Sequence, residues 1–193
     1  VQEHGTTTTI LLDLVNALTG NLDREGGVRF ATPAIDLVRI SALAGAQLKP
    51  GCSRVAKRPS FLGELPVAAL LEELEAPGSG QIKALIVNAG NPVLSNPDGS
   101  RVGAALQELD LLVSIDLFVN ETSCLAHYIL PTPVALERAH YPMLFAGQGV
   151  RNFASFDGPV VPAPKDTREG WDVLLELAER VLAARGLPQR AAA

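Results

Sequence analysis

The chain has 193 residues, 47% hydrophobic and 19% charged, with a formal net charge of -5. That length buries a sizeable core as one domain, or one domain with an appended piece, and the acidic balance excludes a sequence-wide basic surface, so nucleic acid is not an expected partner. Two cysteines, Cys52 and Cys124, lie far apart and outside any C-x-x-C, which excludes a disulfide framework and a zinc or iron–sulfur ligand set built by this chain alone.

No run of about 18 apolar residues appears and no charged segment precedes an apolar one at the start. The expectation is therefore a cytoplasmic protein with reduced thiols and no membrane span in this segment. Val1 stands where a methionine would begin a chain, and LPQRAAA ends it without a structural signal. These ends suggest a piece of a longer polypeptide.

TTTTILLDLVNALTGN predicts an amphipathic helix through Ile10, Leu11, Leu14, Val15, Ala17 and Leu18, with threonine hydroxyls for its cap and Gly20-Asn21 for a left-handed stop. The turn chemistry of NLDREGGVRFATPA follows. Residues 36–63 have weak periodicity and carry Lys49, Arg54, Lys57 and Arg58 without a helical face, so they read as a long loop, solvated or docked on something outside this chain. A second helix is expected in PVAALLEELEAPGSG, opened near Pro66, closed by Pro77-Gly78 and apolar at Val67, Leu70, Leu71 and Leu74.

The character changes at residue 82. IKALIV reads as a buried strand, Val102, Ala105, Leu106 and Leu109 share a helical face, DLLVSID is a second strand, NETSCLAHY a short helix and YILPTPV a third extended run. Strands alternating with helices predict an α/β fold, a doubly wound, mainly parallel sheet with helices on both faces. WDVLLELAERVLAARG is a last helix, stopped by Gly186 and Pro188. The expected organisation is a helix and turn over 1–35 that complete a neighbouring α/β domain, a loop over 36–63, an α/β ligand-binding region over 64–186 and a tail over 187–193.

Ligands of open parallel sheets bind outside the carboxyl ends of the strands, where backbone N–H groups converge. Two loops occupy that edge. NAGNPVLSNPD brings Asn88 and Asn91 as amide donors and acceptors, Gly90 for close backbone approach and Pro92 to fix the exit. Its composition fits a ligand loop, and more readily a turn in which Asn residues bond their own backbone, since Asn-Gly-Pro clusters are common in turns. IDLFVNET brings Asp116, Asn120 as a helix cap and Glu121 in the first turn; Asp116 can accept two hydrogen bonds from a guanine-like N–H edge, or serve as a turn residue. Neither a G-x-G-x-x-G nor a P-loop is present, His4, His127 and His140 form no H-x-x-x-H pair, and no G-x-S-x-G elbow occurs, so motifs alone assign no catalytic or metal-ligating residue.

Taken together and in order, TGNLDREGG, ALIVNAGNPVLSNPDG, LDLLVSIDLFVNETSCLAHYILP and ALER resemble consecutive segments of the molybdopterin oxidoreductases, the dimethyl sulfoxide reductase superfamily that includes formate dehydrogenases and nitrate reductases. The opening VQEHGTTTT is similar to the family segment whose glutamine lies close to the pterin. The resemblance covers nearly the whole chain and is weakest over 36–62. It implies a molybdenum or tungsten ion held between two pterin guanine dinucleotides, with electrons passed between a redox substrate and an electron carrier.

Carried over by motif, Asn88, Gly90 and Asn91 would meet a pterin dinucleotide, Asp116 would take the guanine edge, and Gln2, Thr122 and Arg138 would line the same pocket. The family's A-D-[VL]-[VIL]-L-P is here Ala126-His127-Tyr128-Ile129-Leu130-Pro131, with His127 in place of the acid. The family's N-terminal part, with a 4Fe–4S cluster and the metal ligand, and its C-terminal closing domain are absent from this chain, whose partner would be the remainder of its own polypeptide. By this resemblance the segment alone catalyses nothing and the full-length protein is an oxidoreductase. Two alternatives stay open: a non-catalytic relative such as the large iron–sulfur subunit of respiratory NADH dehydrogenase, and a generic nucleotide-binding α/β module.

Overall fold

The structure is a computed structural model, and the residues it describes are 4–30, 32–33, 35–36, 39–40, 51–60, 64–142, 145, 149, 151 and 153–186. The expected tail over 187–193 and most of 36–50 lie outside them. The chain forms two compact units, Val1–Gly45 with Tyr141–Phe156, and Ala46–His140 with Asp157–Ala193.

In the first unit α1 spans Gly5–Leu18 and ends in a left-handed turn at Gly20, as its sequence predicts. The threonines act differently from expectation. Thr8 and Thr9 lie inside the helix and donate to the carbonyls of His4 and Gly5, the back-bonding open to a hydroxyl one turn on, and no side chain caps the N-terminus. No residue of α1 is buried, and Ile10, Leu11, Leu14, Val15 and Leu18 leave its apolar face exposed.

The second unit is built on three parallel strands, β1 Ala84–Asn88, β2 Leu111–Asp116 and β3 Tyr128–Pro131, in the order β1-β2-β3. Strands parallel in chain order need crossovers. The first crossover carries two helices, α3 Pro92–Ser95 and α4 Gly99–Gln107; the second shrinks to a single 3-10 turn, Ser123–Leu125, where a short helix is expected. Ahead of β1, a 3-10 turn Val67–Ala69 leads into α2 Leu70–Glu75.

Register decides which side chains each sheet face receives. Leu85 pairs with Leu112 and Val87 with Ser114, and this face packs with Leu74 of α2 and with Val102, Leu106 and Leu109 of the α4 segment into the core. Leu106 and Leu112 are fully buried, each contributing about 2–3 kcal/mol through lost apolar hydration. The opposite face, with Ile86, Val113 and Ile115, lies toward the last helix, α5 Gly170–Ala184. Ile86 shares an apolar groove with Leu174, Leu177 and Val181, and Gly170 sits against Ile115.

The basic stretch expected to be solvated, or docked outside the chain, is docked within it. Residues 51–60 form a tight turn closed by a bridge between Cys52 and Pro59, and α2 receives it. Glu73, buried at 5% exposure, accepts the Val55 N–H at 3.0 Å and the Arg54 Nε–H at 3.2 Å, while Arg54 Nη2 reaches the Ala76 carbonyl at 2.6 Å and Arg58 pairs with Glu72. Nothing in the sequence hints at this because the partners are 14 to 22 residues apart and meet only once α2 is formed.

Candidate functional site at the carboxyl edge of the sheet

β1 and β2 leave the sheet side by side. Asn88 pairs with Ile115, and the Ala89 N–H donates to the Ile115 carbonyl at 2.9 Å, so the loops after both strands open on the same edge. The turn out of β1 is made by Ala89, whose φ of 52° lies in the left-handed region that costs an L-residue about 1–2 kcal/mol. Gly90 has no positive φ, and a methyl there would meet nothing closer than Val87 Cγ1 at 3.5 Å, an ordinary contact. Its lack of a side chain therefore answers no demand of the surrounding chain.

The two loops are tied through Thr122, which is fully buried. Its hydroxyl donates to Asn91 Oδ1 at 2.7 Å and accepts the Val93 N–H at 3.0 Å. Asn91 Nδ2 in turn donates to Glu121 Oε2 at 2.6 Å, and the Asn91 carbonyl accepts the Ser95 hydroxyl. Both ends of the Asn91 amide thus hold a partner within the protein, and Asn91 is the strut that sets the spacing of the loops. Its own backbone N–H and the Asn91 amide hold the Glu121 carboxyl below the usual carboxylate range.

Asp116 ends β2 half-buried. Oδ1 accepts the Leu117 N–H at 2.6 Å and Oδ2 accepts Asn120 Nδ2 at 2.9 Å. The other end of the Asn120 amide accepts two backbone N–H groups, from Thr122 at 3.0 Å and Ser123 at 2.9 Å, which closes the turn ahead of the 3-10 turn, whose N-cap position falls on Thr122 rather than on Asn120 as expected. An ionised carboxylate has about four acceptor directions. Two are filled here, one on each oxygen.

Asn88 extends from the exposed end of β1 and makes no side-chain hydrogen bond among the described residues. A methyl on Gly170 would sit 3.1 Å from its Oδ1, so this glycine, at the start of α5, is what gives the Asn88 amide its room. The residue before it, Glu169, pairs with Arg138 at 3.9 Å, which brings the exposed Arg138 to the α5 end of the same edge. Asn88 and Asp116 therefore end the two neighbouring strands, Gly90, Asn91 and Thr122 lie on the loops that follow, and Arg138 pairs with Glu169 beside them; Gln2 lies outside the described residues.

His127 ties the start of β3 to β2. Its Nδ1 accepts the Leu112 N–H at 2.9 Å while its own backbone N–H donates to the Leu112 carbonyl, so the start of β3 stays anchored to β2. His140 is exposed and pairs only through its backbone with Asp157. Among the described residues no three His, Cys, Asp or Glu side chains gather to hold a metal ion, and no helix is long and apolar enough to cross a membrane. Sequence reasoning missed Asn120 as a partner of Asp116 and Gly170 as the neighbour of Asn88. The run N-E-T-S, four short polar residues after a strand-end Asp, was the available signal for the first; nothing in the sequence signalled the second.

Residues 2–180 match the family model described as molybdopterin oxidoreductase. The chain is 35% identical over 127 residues to the NADPH-Fe(3+) oxidoreductase subunit alpha of Geobacter sulfurreducens, a match over 61% of this chain and 14% of that protein. It is 33% identical over 107 residues to the assimilatory nitrate reductase catalytic subunit of Bacillus subtilis, covering 55% and 14%, and 33% identical over 100 residues to the F420-dependent formate dehydrogenase subunit alpha of Methanocaldococcus jannaschii, covering 52% and 14%. The chain thus spans about 14% of the length of these relatives. Among solved structures it is similar to acetylene hydratase from Pelobacter acetylenicus, with a TM-score of 0.52 and 25% identity over 59% of this chain and 15% of that one.

Proposed function

The chain belongs to the molybdopterin oxidoreductase family, and from that premise we propose that it forms one wall of a pterin guanine dinucleotide site in a molybdenum or tungsten oxidoreductase of the formate dehydrogenase type. The observation that carries this reading is Asp116. Its carboxylate stands at the carboxyl edge of a parallel sheet with one donor already on each oxygen and one acceptor direction left on each.

The donor set fits the group. A guanine presents two adjacent N–H donors, and a planar carboxylate with a spare lone pair on both oxygens receives such a pair side by side. Asn88 offers a free amide, and Gly90 leaves the loop backbone open to a ligand, in keeping with a glycine that its protein neighbours do not require. Asn91 and Thr122 line the pocket as its frame, Arg138 stands beside it through Glu169, and Gln2 is assigned to the pterin by the family resemblance alone. When bound, the metal and pterin supply the redox chemistry. The chain's own part is to bind and orient: Asp116 and Asn88 hold the nucleotide, while the tie through Thr122 keeps the two loops at a fixed distance.

The remaining machinery lies outside these residues in this reading: the metal ligand, a 4Fe–4S cluster, the closing domain, and the contacts to a redox substrate and an electron carrier. The region over 64–186 is the nucleotide-binding part, residues 1–35 complete a neighbouring domain, and the protein works in the cytoplasm. Asp116→Ala in the full-length protein tests the proposal. The expected result is loss of most of the guanine nucleotide and metal released on denaturation; unchanged content of both sinks Asp116 as a guanine ligand.

A further inference from the structure

We propose that Asn120 is the positioning residue that sets the rotation of the Asp116 carboxylate, and with it the guanine selectivity of the site. The inference rests on the reading of Asp116 given above and extends it to a residue that does not itself touch the ligand. Its basis is a bracket of hydrogen bonds around one amide.

Asn120 Oδ1 accepts the backbone N–H groups of Thr122 and Ser123, and Nδ2 donates to Asp116 Oδ2 at 2.9 Å. This orientation is the only one the surroundings accept. A flipped amide would set its NH2 against two N–H donors and its oxygen against a carboxylate. The backbone of the bracket is fixed as well, because the Asn120 N–H donates to Ser123 Oγ at 2.7 Å and Ser123 is fully buried.

The direction of Nδ2 is therefore set by buried groups rather than by solvent. On the other side, Oδ1 of Asp116 takes the Leu117 N–H at 2.6 Å. A carboxylate held at both oxygens cannot turn about its Cβ–Cγ bond, and its two free acceptor directions are aimed together. Without Nδ2 only the Leu117 N–H restrains that rotation, and a ligand with two parallel donors must then do more of the ordering of the carboxylate itself.

The test separates this role from that of a simple cap. In Asn120→Ser a hydroxyl oxygen still caps the turn but ends one bond short of Asp116; in Asn120→Asp one oxygen still caps while the other faces Asp116 with like charge. The probes are GDP and inosine diphosphate, which lacks the exocyclic amino group, bound to the full-length protein produced in cells unable to make the cofactor. Wild type should prefer GDP by about tenfold to hundredfold, the worth of one charge-assisted hydrogen bond. Both Asn120 variants should lose most of that preference while their melting temperatures stay close to wild type.

If Asn120→Ser keeps the preference, Asn120 is only a cap and the inference is overturned. Should the Ser variant fail to fold, Asn120→Asp decides in the same way. If wild type shows no preference, or Asp116→Ala retains it, the guanine reading of Asp116 fails first and takes this inference with it.

Discussion

Glu73 and Asp116 each hold a loop, and the contrast between them separates a structural carboxylate from one with something left to offer. Glu73 is buried, and its two oxygens are given to Val55 and Arg54 of the 51–60 turn. Asp116 also receives one donor per oxygen, from Leu117 and Asn120, but it stands half-buried at the sheet edge beside an open loop. What distinguishes them is access: Glu73 is enclosed by protein, and Asp116 is half-buried at the edge where both strands end.

The strongest way to break this contrast is to remove the structural carboxylate. Glu73→Ala leaves the Val55 N–H and the Arg54 guanidinium without their acceptor, and the thermal midpoint should fall by several degrees with the GDP preference of the full-length protein unchanged; a lost preference would show that the two carboxylates are not separate in role. Acid should act on the same group. The Val55 N–H, with Arg54 adding to it, holds the Glu73 carboxyl below its ordinary value. Its contribution is therefore complete above about pH 4.3, the value of a free glutamate, and is lost as pH falls through the lowered value. Unfolding measured between neutral pH and pH 3 should show that loss in the wild type and not in Glu73→Ala.

A smaller effect sharpens the comparison from the other side. Thr122→Val keeps the shape of a fully buried side chain but orphans Asn91 Oδ1 and the Val93 N–H, which should cost about 2 kcal/mol in denaturant unfolding. Because Thr122 ties the two edge loops, this variant should also weaken GDP binding, which Glu73→Ala does not. The smallest change is a gain. Ala89→Gly relieves a left-handed alanine at the mouth of the first loop, worth about 0.5–1 kcal/mol of stability after the added chain entropy of glycine. Equal or lower stability would mean that the alanine conformation is not strained.

Much of the second unit was legible because local pattern and tertiary environment agree there. IKALIV, DLLVSID and YILPTPV read as extended, and strands form within them over Ala84–Asn88, Leu111–Asp116 and Tyr128–Pro131, while Val102, Leu106 and Leu109, which read as one apolar face, are buried together on and just after α4. The family-level reading came from the order of four motifs rather than from any single residue. What stayed illegible depends on contacts between distant residues. Arg54 gives no sign in sequence that its acceptor is Glu73, and the partners of Asn91, Thr122 and Glu121, sit beyond two helices and a strand. The left-handed residue of the turn out of β1 is Ala89, which no feature of the sequence marks out. A propensity argument cannot see that, since alanine is the last residue it would choose.

The order β1-β2-β3 also sets a timetable for a chain emerging from the ribosome. α2 and α4 reach one face of the sheet as its strands are made, but the face bearing Ile86 must wait for α5. β1 ends at Asn88 and α5 begins at Gly170, an interval of roughly 4–16 s at synthesis rates of about 5–20 residues per second. For that time a half-covered sheet stands open to any chaperone or neighbouring chain able to take an aliphatic surface.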